Sequence, residues 1–107
     1  MQLHKIQVSN APNQEQSFDF ASIKIKLTLR FNSIGRHWVM DVFEPVAQRK
    51  VCSGLSLVAG VPLLMRNTVP YFFYLDDESS ADLDPMTLDD LLTRCRLYVG
   101  LKRDIQQ

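Results

Sequence analysis

From Ser22 to Phe31 the chain reads Ser-Ile-Lys-Ile-Lys-Leu-Thr-Leu-Arg-Phe, apolar at every odd position and polar at every even one. Successive side chains of a strand point to opposite faces, so this alternation predicts a β-strand with one buried and one wet face. Asn32-Ser33-Ile34-Gly35 follows as a turn-forming cluster, and Arg36 to Phe43 sets Trp38, Met40 and Val42 on one side. Two such runs joined by a short Gly-containing loop predict a β-hairpin. Its core is expected to take Ile23, Ile25, Leu27, Leu29, Phe31, Trp38, Met40 and Val42. Glu44-Pro45 ends the second strand, because proline cannot donate to a ladder.

Extended patterns recur at Leu3 to Val8, Gln16 to Phe20 and Lys50 to Leu57. Tyr71 to Leu75 is dense in aromatic residues and fits a strand buried on both sides. Leu63-Leu64-Met65-Arg66 is too short for an element and reads as a buried loop or single turn. In the segment Arg94 to Leu101, Cys95, Leu97, Val99 and Leu101 share a face opposite Arg94, Arg96 and Tyr98. One helix is predicted before it: Asp84-Pro85 offers a cap and a first-turn proline, Thr87 and Asp90 have capping-box spacing, and Leu88, Leu91 and Leu92 share a face. The sum is an all-β fold, a small antiparallel sandwich or barrel of six to seven short strands with one short helix near the C-terminus. With 107 residues it forms one domain, 1–107.

Hydrophobic residues make up 46% and charged residues 22%, the balance of a folded domain and not of a disordered segment. Twelve bases oppose twelve acids, so the net charge is zero, which argues against a dedicated nucleic-acid binder and leaves little to keep copies apart. The charge is unevenly placed. Residues 76–90 carry seven acids and no base, while the rest of the chain holds twelve bases against five acids, a local +7. The first residues, Met1 to Ile6, lack the apolar segment of a secretory signal, and no run of ~18 apolar residues predicts a membrane-spanning helix. Cys52 and Cys95 lie far apart without neighbouring ligands, so they read as reduced core thiols and not as a zinc site.

Each candidate chemistry meets a simpler account. The acidic stretch invites calcium, yet it lacks the glycine and the terminal glutamate of a calcium loop; a solvated or partner-facing loop is expected instead. His4 and His37 have no Ser or Cys nucleophile at motif spacing and read as surface or edge residues. Gly35, Gly54, Gly60 and Gly100 are scattered and form no phosphate-cradling loop. No catalytic residue, metal or cofactor is expected. Lys24, Lys26 and Arg30 line the wet face of the first hairpin strand, as in an OB-like module or adaptor for nucleic acid or peptide, which stands as the alternative. The −7/+7 split makes Asp76, Asp77, Glu78, Asp82, Asp84, Asp89 and Asp90 candidates for one partner face and Lys24, Lys26 and Arg30 for its complement.

The order of several short motifs resembles the baseplate plug proteins of contractile-tailed bacteriophages. These are Asn10-Ala11-Pro12-Asn13-Gln14, then Leu29-Arg30-Phe31-Asn32 leading through Gly35 to Trp38-Val39-Met40-Asp41. Gly54 to Leu57 with Val58-Ala59-Gly60-Val61-Pro62-Leu63-Leu64 follows, and Asp89-Asp90-Leu91 precedes the last strand. The likeness runs from about Ile6 to Val99 and departs at Leu92-Thr93, where the family often has Gly-Asp, and at Phe31, where it often has tryptophan. It implies a non-enzymatic structural protein of the virion, assembled in the host cytoplasm and placed near the junction of tail tube and hub. The implied partners are hub, tail tube or initiator proteins and further copies of the chain, as a trimer or hexamer, with no membrane and no specific nucleic acid.

Overall fold

The computed structural model describes residues 3–9, 11–65, 68–78, 85, 90–93 and 95–102. Among these, seven strands form two antiparallel sheets. The larger sheet has the order β2-β3-β4-β5, built from β2 (Asn13–Phe20), β3 (Ile23–Asn32), β4 (His37–Glu44) and β5 (Arg49–Ser56). The smaller has the order β1-β7-β6, from β1 (Leu3–Lys5), β6 (Tyr71–Asp77) and β7 (Cys95–Leu101). A single helical turn, α1 (Asp90–Thr93), leads into β7. The fold is thus all-β and sandwich-like. The helix cap expected at Asp84-Pro85 and the positions Thr87 and Leu88 lie outside the described residues, except for Pro85, which is buried.

The β3–β4 hairpin has the expected register, with Leu27 opposite Val42, Leu29 opposite Met40 and Phe31 opposite Trp38. Its loop is held by Asn32, whose Oδ1 accepts from the amides of Ile34 and Gly35 at 3.0 and 3.1 Å. Ile25, Leu27, Leu29, Trp38, Met40 and Val42 are buried, and meet Tyr71, Phe73, Leu75, Leu97 and Val99 of the other sheet in one continuous core. Ile23 and Phe31, at the two ends of β3, are only partly buried and pack on the core's margin.

β2 begins at Asn13, three residues before the expected Gln16, because pairing with β3 extends through the polar run Asn13-Gln14-Glu15-Gln16. The connection to β3 is the two-residue turn Ala21-Ser22, both at positive φ (54° and 66°), the geometry that matches the twist of a hairpin. β1 stops at Lys5, short of the expected Val8, although the Ile6 amide still donates to the Leu97 carbonyl at 2.9 Å. The segment after β5 is a connector that lies along β6: Leu63 and Phe73 exchange backbone hydrogen bonds at 2.7 and 3.1 Å. Phe72 and Phe73 are both buried, so β6 is covered on both faces as expected. Phe72 lies over Gly100, where a Cβ would stand 2.9 Å from the Phe72 ring and 2.8 Å from the Leu3 side chain.

A polar tie joins the sheets. The Tyr71 hydroxyl donates to Glu44 Oε2 at 2.7 Å in a buried contact, and burial together with that carboxylate pushes the Tyr71 pKa well above the ordinary tyrosine value. Cys95 is buried and Cys52 half-buried, and neither is in a disulfide.

Trp38, one pair from the β3–β4 turn, is fully buried. Its truncation to alanine removes a large side chain that the surroundings cannot refill, at a cost on the order of 3–5 kcal/mol. Denaturant unfolding is expected to show Trp38→Ala as more destabilising than Phe31→Ala, since Phe31 keeps part of its surface in water.

Candidate functional site

The polar face of the larger sheet follows from the same alternation that builds the core. On it stand Asn13, Glu15, Ser17 and Asp19 of β2, Lys24, Lys26, Thr28 and Arg30 of β3, Val39, Asp41 and Phe43 of β4, and Lys50 of β5. Two of the three expected cations are already engaged: Lys26 lies 3.3 Å from Glu15, and Arg30 lies 3.0 Å from Asp41. Lys24 is exposed, opposite Asp19 in register. Carboxylates of Glu15, Asp19 and Asp41 therefore interleave with the cations, and Phe43, half-buried opposite Lys26, is the aromatic residue beside them. A mixed-sign face of this kind is not the basic, aromatic-lined groove that an OB-like single-strand binder requires.

Asp41 is the organising group of this face, and sequence reasoning missed it. β5 carries an extra residue between its pairings with Met40 and Val42 and another between those with Val42 and Phe43. Gly54 takes the left-handed conformation (φ 69°) that the first bulge needs. Its amide, turned out of the ladder, donates to Asp41 Oδ1 at 2.7 Å. Partial burial works to raise the Asp41 pKa, but the Gly54 amide, Arg30 and Lys50 outweigh it and hold the carboxyl below the usual aspartate value. Beside this network an open concavity of about 600 Å³ extends past Pro12, Phe31 and Val39. The only sequence signal for the arrangement was Gly54 inside a strand pattern, which marks a bulge but not its partner.

The acidic stretch does not begin as a wet loop. Asp76 and Asp77 belong to β6, and Asp77 shares the inward parity of Tyr71, Phe73 and Leu75, which leaves it 3% exposed. It therefore takes no place on the outer surface of the isolated chain. Asp76 faces Arg96 of β7, and exposed Glu78 lies 3.3 Å from the same guanidinium. Asp90 opens α1 and is half-buried, while Asp82, Asp84 and Asp89 lie outside the described residues. The structure thus sets Asp76 and Asp77 of the acidic stretch on the smaller sheet and the basic row on the larger one, without bringing the two groups together. Among the described residues no group of three or more His, Cys, Asp or Glu is placed to hold a metal ion. No helix there is long and apolar enough to cross a membrane.

An all-β sandwich with a mixed-charge sheet face defines a class of domain that can pack against protein neighbours through shape and paired charge. Its particular family is given by a sequence profile described as cyanophage baseplate Pam3 plug gp18, which matches residues 3–102. The chain belongs to this family of phage baseplate plug proteins. Membership implies a structural, non-enzymatic role in the baseplate, a location in the virion tail and contacts with other baseplate proteins. No curated protein shows significant similarity to the chain.

Asp41→Asn should cost on the order of 1 kcal/mol at neutral pH, mostly through the weakened bond to the Gly54 amide, since the Arg30 pair is solvent-screened. A depressed carboxyl pKa contributes stability that is present above the unfolded value of about 4 and is lost as pH falls through the folded value. The gap in unfolding midpoint between the parent and Asp41→Asn is therefore expected to be full at pH 7 and to shrink below pH ~4. A gap that does not change with pH would show that Asp41 contributes nothing through its charge.

Proposed function

We propose that the chain is a single-domain, non-enzymatic subunit of a contractile phage tail baseplate, present in several copies, as a trimer or hexamer, near the junction of tail tube and hub. It is assembled in the host cytoplasm against hub, tube or initiator proteins. The profile match over residues 3–102 carries this reading, because it spans both sheets and every described strand.

The surface chemistry supports it. Exposed ion pairs are individually weak, so apolar contacts supply most of the affinity of such packing while charge sets orientation. Ile34 in the β3–β4 turn and Val46 in the β4–β5 turn are 96% and 84% exposed and stand at opposite ends of β4, suited to contacts above and below. The basic row Lys24, Lys26 and Arg30 and the acidic stretch of the sequence that holds Asp76, Glu78, Asp82, Asp84, Asp89 and Asp90 supply opposite charge to different neighbours.

Reversing Asp82, Asp84 and Asp89 together to lysine tests the charge argument. The variant is expected to fold with an unchanged circular dichroism spectrum and to be depleted from tails at least about tenfold, which needs a loss of only about 1.4 kcal/mol in assembly free energy. Quantitative mass spectrometry of purified particles reads the copy number. A folded triple variant at the normal copy number would show that the acidic stretch is a solvated loop with no part in assembly.

A further inference from the structure

The four sheet edges are not treated alike. β1 is only three residues long, and the edge of β6 is covered by the connector that bonds to it at Gly60 and Leu63. β5 is broken by two register shifts and a left-handed glycine. Short length, cover and bulges are the devices by which proteins keep edges from pairing with other chains. Among the described residues, β2 has none of them. It runs eight residues in unbroken register from Asn13 to Phe20 and stands last in its sheet.

Its open backbone groups can be named. Phe31 donates its amide to the Pro12 carbonyl, which fixes the hydrogen-bonded pairs of β2 and β3 at Gln14, Gln16, Phe18 and Phe20. The amides and carbonyls of Asn13, Glu15, Ser17 and Asp19 therefore point away from β3. Next to this edge the two sheets part around a groove of about 300 Å³, lined by His4, Ile6, Phe18 and Phe20. The rings of His4 and Phe20 meet there at 5.2 Å, and Gln16 Nε2 donates to the Gln7 carbonyl at 2.6 Å across it.

We propose that the free edge of β2 receives an extended segment of another protein, which adds as a fifth strand and alternates apolar and basic side chains. Apolar side chains of such a strand fall over the groove beside Phe18 and Phe20. The alternate ones stand beside the two charged residues of β2, both acidic: Glu15, which already pairs with Lys26 at 3.3 Å, and Asp19, opposite Lys24 in register. In antiparallel self-pairing of β2, the register centred on Ser17 is disfavoured, because it sets Glu15 directly against Asp19 twice. The proposal rests on the baseplate reading only for the source of the strand, a neighbouring baseplate protein.

The test uses isotope-labelled protein and a synthetic peptide of seven residues alternating valine and lysine, with an N-methylated copy and a valine-glutamate copy as controls. Amide exchange at Glu15, Ser17 and Asp19 is expected to slow about tenfold or more with the valine-lysine peptide, while the already bonded amides of Gln16 and Phe18 change little. Ser17→Pro removes an outward amide and should abolish the effect, and Asp19→Lys, which leaves the backbone intact, should weaken it. Equal binding of the N-methylated peptide, protection absent from the three amides, or no binding at millimolar peptide would each overturn the proposal. Slowing that grows with protein concentration in the absence of peptide would assign the edge to a second copy and overturn it as well. No tail particle enters this experiment, so a negative result leaves the baseplate reading standing. Absence of the chain from tails would sink that reading without touching the edge.

Discussion

One pairing register holds the molecule together: Leu27 against Val42 and Leu29 against Met40, with the fully buried Trp38 on the same face toward the β3–β4 turn. A slip of one residue would turn that whole apolar set to water and bring Lys24, Lys26 and Arg30 inward, so one buried face specifies the register strongly. The core then forms by laying this face on Tyr71, Phe73, Leu75, Leu97 and Val99 of the smaller sheet. The polar contact between sheets, Tyr71 to Glu44, is hydrogen-bonded, and among the described residues no buried side-chain nitrogen or oxygen lacks a partner. A satisfied buried pair of this kind costs little and would be expensive to break on one side only.

The surfaces are the remainder of the same rule. Because the period is two, fixing the inner face fixes the outer one, and the outer one here alternates cations with carboxylates. Local neutrality removes the potential that a nucleic acid would need and leaves a surface suited to protein contacts of defined orientation. The bulges of β5 serve both roles: they twist one edge out of reach and aim the Gly54 amide at Asp41. β2 keeps a regular edge, and that asymmetry gives the two sides of the larger sheet different prospects for contact.

What was legible in the sequence is what alternation can carry. The hairpin of β3 and β4 and most of its core residues follow from periodicity, and the doubly buried β6 from its run of aromatic residues. The N-terminal half of β2 did not, since Asn13-Gln14-Glu15-Gln16 has no apolar face and is a strand only because β3 pairs with it. Its link to β3 was equally silent, because Ala21-Ser22 lacks the glycine or asparagine that usually marks a turn at positive φ. Asp77 was misplaced for a related reason: composition grouped it with a charged loop, whereas strand parity turned it into the core. The candidate surface was legible as a row of cations but not as a neutralised network, because Glu15 and Asp41 reach that row only through cross-strand register.

Family membership makes the chain a baseplate plug protein, and the physical account adds which faces can meet neighbours. Cryo-electron microscopy of the intact tail tests this most directly. The account predicts density for this two-sheet domain in several copies in the central baseplate, with the alternating core of β3 and β4 away from every neighbour. A particle whose baseplate lacks the domain, or whose copies open the two sheets and use that core as the interface, would contradict it.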